Sequence, residues 1–182
     1  MKTPGSQYGK NLLNLLRGNQ LLEPVAATFY VTTRCNLNCT YCEDFGARRN
    51  AKQPPFLSQD EAQHILRVIR SGTDSVILTG GEPLLHPDIM ALVTFAKTSL
   101  NFKHITMLTN GLMLPTYEAL LPQVDRLVIS LDSLDPDYWA TIIDMPPQTA
   151  QTILDNIQRT ATLQQQYDFR LVLNCVISPE TL

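Results

Sequence analysis

The feature that most restricts the fold is an alternation between short apolar runs and segments with helical periodicity. The runs are rich in β-branched and aromatic residues, and they predict strands over 28–33, 75–79, 105–109, 126–131 and 169–177. Strands that alternate with helices form a parallel sheet with right-handed crossovers, either open or curved into a barrel. The sequence therefore predicts an α/β fold with about five parallel strands.

The segments between the strands carry helix signals. Ser58 followed by Glu61 is a capping box, which predicts a helix up to Gly72. The predicted buried positions of this helix are Ile65, Leu66, Val68 and Ile69. The next helix is predicted to have Pro87 in its first turn and apolar positions at Ile89, Leu92, Val93 and Ala96. The remaining predicted helices are a short one over 116–121 and one or two over 135–166, interrupted at Pro146-Pro147.

The chain before the first strand is predicted to be an N-terminal segment, 1–27, ahead of a core domain, 28–182. We expect residues 1 to about 9 to be a loose tail. Apolar spacing predicts a short amphipathic helix over 11–22, ended by Glu23-Pro24. This helix is expected to cover one end of the core, and a helix for a partner or a membrane is the alternative.

The last residues resemble the start of another helix. Ser178 suits an N-cap, Pro179 a first turn and Glu180 a helix start, and the sequence ends two residues later. We therefore expect the core to be incomplete at its C-terminus. A natural C-terminus that only resembles a helix start is the alternative.

Composition excludes several classes of protein. The 182 residues are 44% hydrophobic and 17% charged, which is typical of a globular domain and too apolar for a disordered chain. The formal charge is −3, and no run of Lys or Arg indicates binding to nucleic acid or to an anionic membrane. No apolar run is long enough to span a bilayer, and no signal peptide is recognisable. The sequence therefore predicts a cytoplasmic protein.

Three of the four cysteines lie within eight positions. In a reducing compartment, a cluster such as Cys35, Cys39 and Cys42 indicates metal binding or catalysis rather than disulfides. Thiolates suit iron-sulfur clusters, zinc or copper(I), but structural zinc needs four ligands, and His64 and His86 are only single candidates. Three cysteines on a four-iron cluster would leave one iron without a protein ligand.

The spacing Cys35-x-x-x-Cys39-x-Tyr41-Cys42 resembles the signature of the radical S-adenosylmethionine (radical SAM) superfamily. Gly80-Gly81-Glu82-Pro83, Thr109-Asn110-Gly111 and Ser130-Leu-Asp132 are similar to the later motifs of that superfamily, in the same order. The resemblance covers about residues 28–178. It implies a partial parallel (β/α) barrel with a 4Fe-4S cluster on the three cysteines.

The same resemblance implies the chemistry. S-adenosylmethionine would chelate the open iron, and one electron would cleave it to methionine and a 5'-deoxyadenosyl radical that abstracts hydrogen from an unknown substrate. The electron would come from a reductant protein such as a flavodoxin or a ferredoxin. The alternatives are a truncated, catalytically silent fragment and a cysteine-rich metal-binding module without S-adenosylmethionine chemistry.

Every motif falls at the C-terminal end of a predicted strand. Cys35 follows the first strand, Gly80 the second and Asn110 the third, while Ser130 lies within the end of the fourth and Asn174 in the fifth. Active sites of parallel α/β folds are built at this edge. The motifs are therefore expected to share one pocket.

By resemblance, Gly81 through its backbone and Glu82 through its charge would bind the methionyl ammonium of S-adenosylmethionine, beside Gly80. The alternative is a tight turn with a solvated glutamate. Strand alternation predicts that Ser130 and Asp132 point inward. The resemblance implies that Ser130 contacts the cofactor. Asp132 and Asn174 are further candidates for cofactor binding, and capping of the next turn is the alternative for Asp132.

The remaining candidates are less specific. Tyr41 would pack beside the adenine by family analogy, or on the core. If Asn174 faces the pocket, alternation places Cys175 as a small buried residue in the helix layer. Thr109 and Asn110-Gly111 are more typical of a turn than of a site. His64, His86 and His104 are expected to be structural or exposed, and Phe95 and Trp139 to lie in the core.

Within the superfamily, the sequence looks most like the cores of the molybdenum-cofactor GTP cyclase and of peptide-modifying enzymes. The cyclase resemblance would imply nucleotide-binding arginines in the first two strands, where this sequence has Thr28 and Ile77. The expected substrate is therefore an unidentified small molecule or peptide.

Overall fold

The computed structural model describes residues 5–19, 22–43, 45–46 and 56–177. Five parallel strands form one sheet, and each strand pairs with the strand that precedes it in the chain. The strands are β1 (Ala27–Thr32), β2 (Ser75–Gly80), β3 (His104–Thr109), β4 (Arg126–Ser130) and β5 (Arg170–Asn174). The arrangement is a partial (β/α) barrel, as the sequence predicts.

Helices connect the strands. The α-helices are α1 (Gly5–Leu16), α2 (Gln59–Gly72), α3 (Ile89–Thr94), α4 (Pro136–Ile143) and α5 (Pro147–Leu163). Helix α3 continues as a π-helical turn over Phe95–Ser99, and 3-10 segments occupy Pro83–Leu85 and Leu114–Gln123. The third crossover, predicted as a short helix, is thus a 3-10 segment with a kink at Tyr117. No helix in the described ranges combines the length and the apolarity that crossing a membrane requires.

Local signals position the helices well. Ser58 accepts the backbone N–H of Glu61, and Glu61 accepts the backbone N–H of Ser58 at 2.8 Å, so the predicted capping box is present. Leu66 is fully buried as predicted, but Val68 is 58% exposed, so its predicted burial is wrong. Pro87 lies before the N-cap of α3 rather than in its first turn.

The core lies between the sheet and the helices. Four apolar residues in the segment of α3 are predicted to be buried, and all four have no exposed area: Ile89, Leu92, Val93 and Ala96. They pack in one cluster with sheet residues such as Leu78, Ile105 and Leu127. Phe95 and Trp139 pack in or against this cluster, as predicted. The sheet is therefore held by burial on its helix face, which fixes the strand ends where the motifs lie.

The two ends of the chain differ from the predictions. Helix α1 begins at Gly5 and ends at Leu16, earlier in the chain than predicted. Its leucines are exposed, with Leu12 at 59% and Leu16 at 76%, so the predicted cover for the core is wrong. The predicted helix start over 178–181 lies outside the described residues, as do residues 1–4 of the predicted tail.

Candidate active site

The carboxyl ends of four strands surround a cavity of about 200 Å³. Each predicted motif from β1 to β4 contributes to it. The residues are Cys35, Cys39, Tyr41 and Cys42 after β1, Gly80 and Gly81 at the end of β2, Thr109 and Asn110 at the end of β3, and Ser130 and Asp132 at the end of β4. The structure therefore brings together all three cysteines and most of the predicted cofactor-binding residues.

The segment over 33–42, which follows β1 and carries the three cysteines, is called the cysteine loop, and backbone hydrogen bonds fix it. Asn38 and Thr40 donate their N–H groups to the carbonyl oxygens of Ile143 and Ile142, at 3.1 and 2.8 Å. These carbonyls lie at the C-terminal end of α4, where the last carbonyl groups have no partner within the helix. The loop thus closes the end of a helix, and its own path is set by that helix.

The thiols are placed for metal binding rather than for free thiolates. Burial, followed by the negative charges of its neighbours, raises the pKa of Cys35 to about 11 and that of Cys39 to about 12. Backbone N–H groups favour the charged forms: Leu37 donates to Cys35 Sγ at 3.5 Å and Phe45 to Cys42 Sγ at 3.4 Å. Three thiolates in one small site require a cationic group to offset their repulsion. The donor set therefore fits an iron-sulfur cluster.

Across the described ranges, no three His, Cys, Asp or Glu side chains are grouped as ligands of one metal ion.

Gly80 and Gly81 bring β2 against the cysteine loop. Gly81 donates its N–H to the Thr32 carbonyl at 3.0 Å, and Glu82 donates to the Arg34 carbonyl at 2.8 Å. A Cβ atom on Gly80 would overlap the Thr32 carbonyl, and one on Gly81 would overlap the Arg34 carbonyl. Gly80 also has a φ of +149°, which L side chains rarely adopt. The glycines are thus required by backbone packing between two motifs.

Glu82 lies behind the cavity wall. Its side chain is fully buried, so the alternative of a solvated glutamate is wrong. Oε1 accepts the Thr109 hydroxyl at 2.8 Å and the Leu84 N–H at 3.0 Å, while Oε2 accepts the Asn110 N–H at 2.8 Å. Burial raises the pKa of this carboxyl to about 7. The structure does not bring Glu82 into the cavity; it joins the end of β2 to the end of β3.

Thr109 and Asn110 line the cavity, although their sequence is more typical of a turn. The predicted turn is present directly behind them, where Gly111 has a φ of +83°. The Asn110 side chain donates to Asn36 Oδ1 at 2.7 Å, and Asn36 lies inside the cysteine motif. Their position at the end of a predicted parallel strand is the sequence signal that they lie at this edge of the sheet.

Tyr41 and Asp132 contact each other across the cavity. The Tyr41 hydroxyl donates to Asp132 Oδ2 at 2.9 Å, and the Val176 N–H donates to Asp132 Oδ1 at 3.0 Å. Asp132 is only 7% exposed and accepts from Val176 rather than from the turn that follows β4. Burial raises the pKa of Tyr41 well above its usual range, with the neighbouring Cys39 as the next cause, so the hydroxyl keeps its proton.

The fifth strand does not reach the cavity, so the prediction that Asn174 binds the cofactor there is not met. Asn174 is exposed and is not among the residues that line the cavity. Cys175 is exposed, so its predicted burial is wrong. The reason is that β5 ends at Asn174, and strand alternation does not extend beyond it.

Two further residues, Trp139 and His86, are buried. Trp139 is 1% exposed and also lines the cavity, a role beyond the predicted place in the core. His86 is buried, with Nδ1 accepting the Asp88 N–H at 3.1 Å and Nε2 lying 3.1 Å from the Leu57 carbonyl oxygen. This histidine is structural, as predicted.

Comparison with known proteins agrees with the fold and the motifs. The family model of the radical SAM superfamily matches residues 29–177. The chain therefore belongs to the radical SAM superfamily, whose members use a 4Fe-4S cluster and S-adenosylmethionine.

Relatives in sequence are named as cyclases. The chain is 36% identical over 115 residues to a protein named "Probable GTP 3',8-cyclase" from Methanococcus maripaludis, covering 62% of this chain and 38% of the relative. It is 30% identical over 132 residues to a protein named "GTP 3',8-cyclase" from Haemophilus influenzae, covering 68% of this chain and 39% of the relative. The chain thus spans about two fifths of the length of these curated relatives.

Solved structures share the fold. Streptococcus suis SuiB bound to precursor peptide SuiA has a TM-score of 0.68 at 22% identity, covering 98% of this chain and 39% of SuiB. The protein anSMEcpe with bound AdoMet has a TM-score of 0.60 at 17% identity, covering 84% of this chain and 43% of that protein.

Proposed function

We propose that this chain is the catalytic core of a radical SAM enzyme. The observation that carries the proposal is the convergence of three cysteines and three strand-end motifs on one cavity. Family membership supports it, since the match spans residues 29–177. Cys35, Cys39 and Cys42 would hold the 4Fe-4S cluster. When bound and reduced, the cluster supplies the electron that cleaves the sulfonium of S-adenosylmethionine.

The backbone around the cysteines would stabilise their ligand form. The amide N–H groups of Leu37 and Phe45 donate to sulfur atoms of Cys35 and Cys42, and such hydrogen bonds stabilise bound thiolates and tune cluster potentials. Two of the three ligands are thus supported by the backbone of their own loop.

S-adenosylmethionine would lie across the remaining cavity. The N–H of Gly81 is donated to Thr32, so its carbonyl oxygen is the backbone group left for the methionyl ammonium. Ser130 and the Asn110 side chain would provide hydrogen bonds to the polar groups of the cofactor. Glu82 would act by positioning Thr109 and Asn110 rather than by touching the ammonium.

The surroundings of the reaction follow from its chemistry. Radical SAM enzymes commonly need a reductant, and we propose a flavodoxin or a ferredoxin as the electron donor. The thiolates require a reducing compartment, for which we propose the cytoplasm. The substrate would be a small molecule or a peptide. The names of the sequence relatives support a nucleotide, and the peptide complex of SuiB supports a peptide.

Anaerobic reconstitution tests the proposal. The chain should take up about four iron and about four sulfide, and Cys39→Ala should lose most of both. Cys175→Ala is the matched control, because Cys175 is exposed and outside the cavity, and it should retain the wild-type content. About one zinc without sulfide would instead identify a metal-binding module.

Product analysis then separates an active core from a silent one. With S-adenosylmethionine and a strong chemical reductant, the reconstituted chain should form 5'-deoxyadenosine. Cys39→Ala should abolish that product. A cluster-loaded chain that forms no 5'-deoxyadenosine would show that this polypeptide is catalytically silent.

A further inference from the structure

Two arginines lie side by side on the face of the sheet that leads into the cavity. Arg126 of β4 pairs with Arg170 of β5 in the register of the sheet. Ser130, four residues after Arg126 on the same strand, lines the cavity. Side chains alternate along a strand, so Arg126 and Ser130 point to the same face, and the register places Arg170 there too. This face is called the cavity face of the sheet.

Burial distinguishes the two faces of the sheet. Leu127, which follows Arg126, has no exposed area, and neither has Met107, its partner on β3. Both belong to the core between the sheet and the helices. The two arginines are exposed, and Thr106, the partner of Arg126 on β3, is half-buried. The guanidinium groups therefore lie on the side opposite the helices, where a ligand can reach them.

The arginine pair has no acidic neighbour in the sheet. The five strands contain no Asp or Glu, and Arg126 and Arg170 are their only Lys or Arg residues. Other cations form the ion pairs of the described residues: Lys10, Lys97, Lys103 and Arg159. Within those residues, neither guanidinium group of the pair has a hydrogen bond or an ion pair. The two side chains start from strands about 4.8 Å apart, so their like charges repel until an anion offsets them.

The chemistry and the position of the pair define the kind of ligand that it suits. Each guanidinium group presents N–H donors in a planar fork that matches two oxygens of a carboxylate or a phosphate. The Cα atoms of Arg126 and Ser130 are about 13 Å apart, at about 3.3 Å per residue. Between them on the same face lies Val128, which is half-buried and uncharged. A ligand that reaches from the pair to the cavity is therefore elongated, with an anionic end and an uncharged middle.

We propose that Arg126 and Arg170 together bind a phosphate or carboxylate group at one end of the substrate, whose other end lies in the cavity. This inference rests on the proposed function, because that function places the reaction in the cavity. It narrows the substrate from any small molecule or peptide to an elongated molecule with a terminal anion. The two arginines would thus select the substrate and fix its direction.

An NMR titration of the reconstituted chain tests the pair. The guanidinium signals of isotope-labelled arginine are followed while inorganic phosphate or, separately, acetate is added at constant ionic strength. The signals of Arg126 and Arg170 should move with one shared dissociation constant, because both groups hold the same anion. In Arg170→Gln, the dissociation constant measured at Arg126 should rise at least about tenfold, since one charged fork is lost. Tighter binding of phosphate would indicate a phosphorylated substrate, and tighter binding of acetate a carboxylate.

Controls separate this inference from the proposed function. Arg159→Gln removes the same charge from an exposed side chain of α5 and should leave the dissociation constant at the wild-type value. Signals that ignore both anions, or a dissociation constant that Arg170→Gln does not change, would overturn the proposal. A chain that binds the anion but takes up no iron and sulfide refutes the proposed function, whereas a cluster-loaded chain without anion binding refutes only this inference. Should Arg170→Gln not fold, Arg126→Gln decides in the same way from the signal of Arg170.

Discussion

Two walls of the cavity are held in different ways. The glycine wall, formed by Gly80, Gly81, Thr109 and Asn110, is joined to the cysteine loop by backbone hydrogen bonds and is backed by the buried Glu82. The tyrosine wall consists of the polar residues Tyr41, Ser130 and Asp132. Its connection across the cavity is a bond between two side chains.

This difference separates folding from function. A change in the glycine wall disturbs the main chain of two strands, because carbonyl groups occupy the space that a side chain would need. A change in the tyrosine wall removes a polar group and leaves the backbone in place. We therefore expect substitutions in the first wall to lower stability and those in the second to alter binding.

The largest effect is expected for Gly80→Ala. The new Cβ would overlap the Thr32 carbonyl, and the φ of +149° is unfavourable for alanine. The free energy of unfolding, measured with urea, should fall by at least about 3 kcal/mol. Gly9→Ala is the matched control, since Gly9 lies in α1 and its new methyl group would meet nothing within 4 Å beyond its chain neighbours and the nearby backbone of its own helix. It should be neutral or slightly stabilising. Equal losses in both variants would contradict the backbone origin of the effect.

The pH dependence of stability tests the buried carboxyl of the glycine wall. Burial raises the pKa of Glu82 from 4.5 to about 7, so the folded chain holds this proton more tightly than the unfolded chain. The stabilisation that this proton provides is complete below pH 4.5 and is lost as the pH rises through about 7. The free energy of unfolding should fall by about 3 kcal/mol across this window. Urea unfolding across this window should show the decline in wild type and a flatter profile in Glu82→Gln. The same slope in both proteins would assign the dependence to other groups.

A smaller effect is expected in the tyrosine wall. Ser130 lines the cavity, and Ser130→Ala should weaken the binding of S-adenosylmethionine to the reconstituted chain about fivefold, the loss of about 1 kcal/mol for one hydrogen bond. Titration calorimetry measures the affinity, and urea unfolding should stay within about 0.5 kcal/mol of wild type. Ser71→Ala, on the exposed end of α2, should change neither. A loss of stability without a loss of affinity would reverse the expected contrast between the walls.

The smallest effect is expected at Asn174. The side chain is exposed and outside the cavity, so Asn174→Ala should leave both affinity and stability within about 0.5 kcal/mol of wild type. Calorimetry under the same conditions checks this value. A loss of affinity above about tenfold would place Asn174 in the cofactor site after all.

The strands and the edge that holds the site could be predicted because both depend on local patterns. Alternating apolar runs give the strands, and motifs at their ends must meet in a parallel sheet. The length of β5 could not be predicted, since the Val176 N–H bonds to Asp132 and leaves the strand ladder. The position of Cys175 followed from that same error. Likewise, the apolar pattern of α1 indicates an amphipathic helix but not what covers it.

The role of Glu82 could not be predicted from the sequence, for a different reason. The sequence shows a carboxylate beside two glycines, which suggests a ligand-binding group. Its partners Thr109 and Asn110 lie on the next strand, 27 and 28 residues further along the chain. Whether a carboxylate binds a ligand or the protein depends on such long-range contacts, and a motif does not contain them.

The order of the sheet has a consequence for how the molecule is made. Because every strand pairs with its predecessor in the chain, each one that leaves the ribosome meets a neighbour already synthesised. The barrel can therefore grow in step with translation. The bond from Val176 to Asp132 joins residues 44 positions apart, so the carboxylate that accepts from Tyr41 gains this second hydrogen bond only after β5 has emerged.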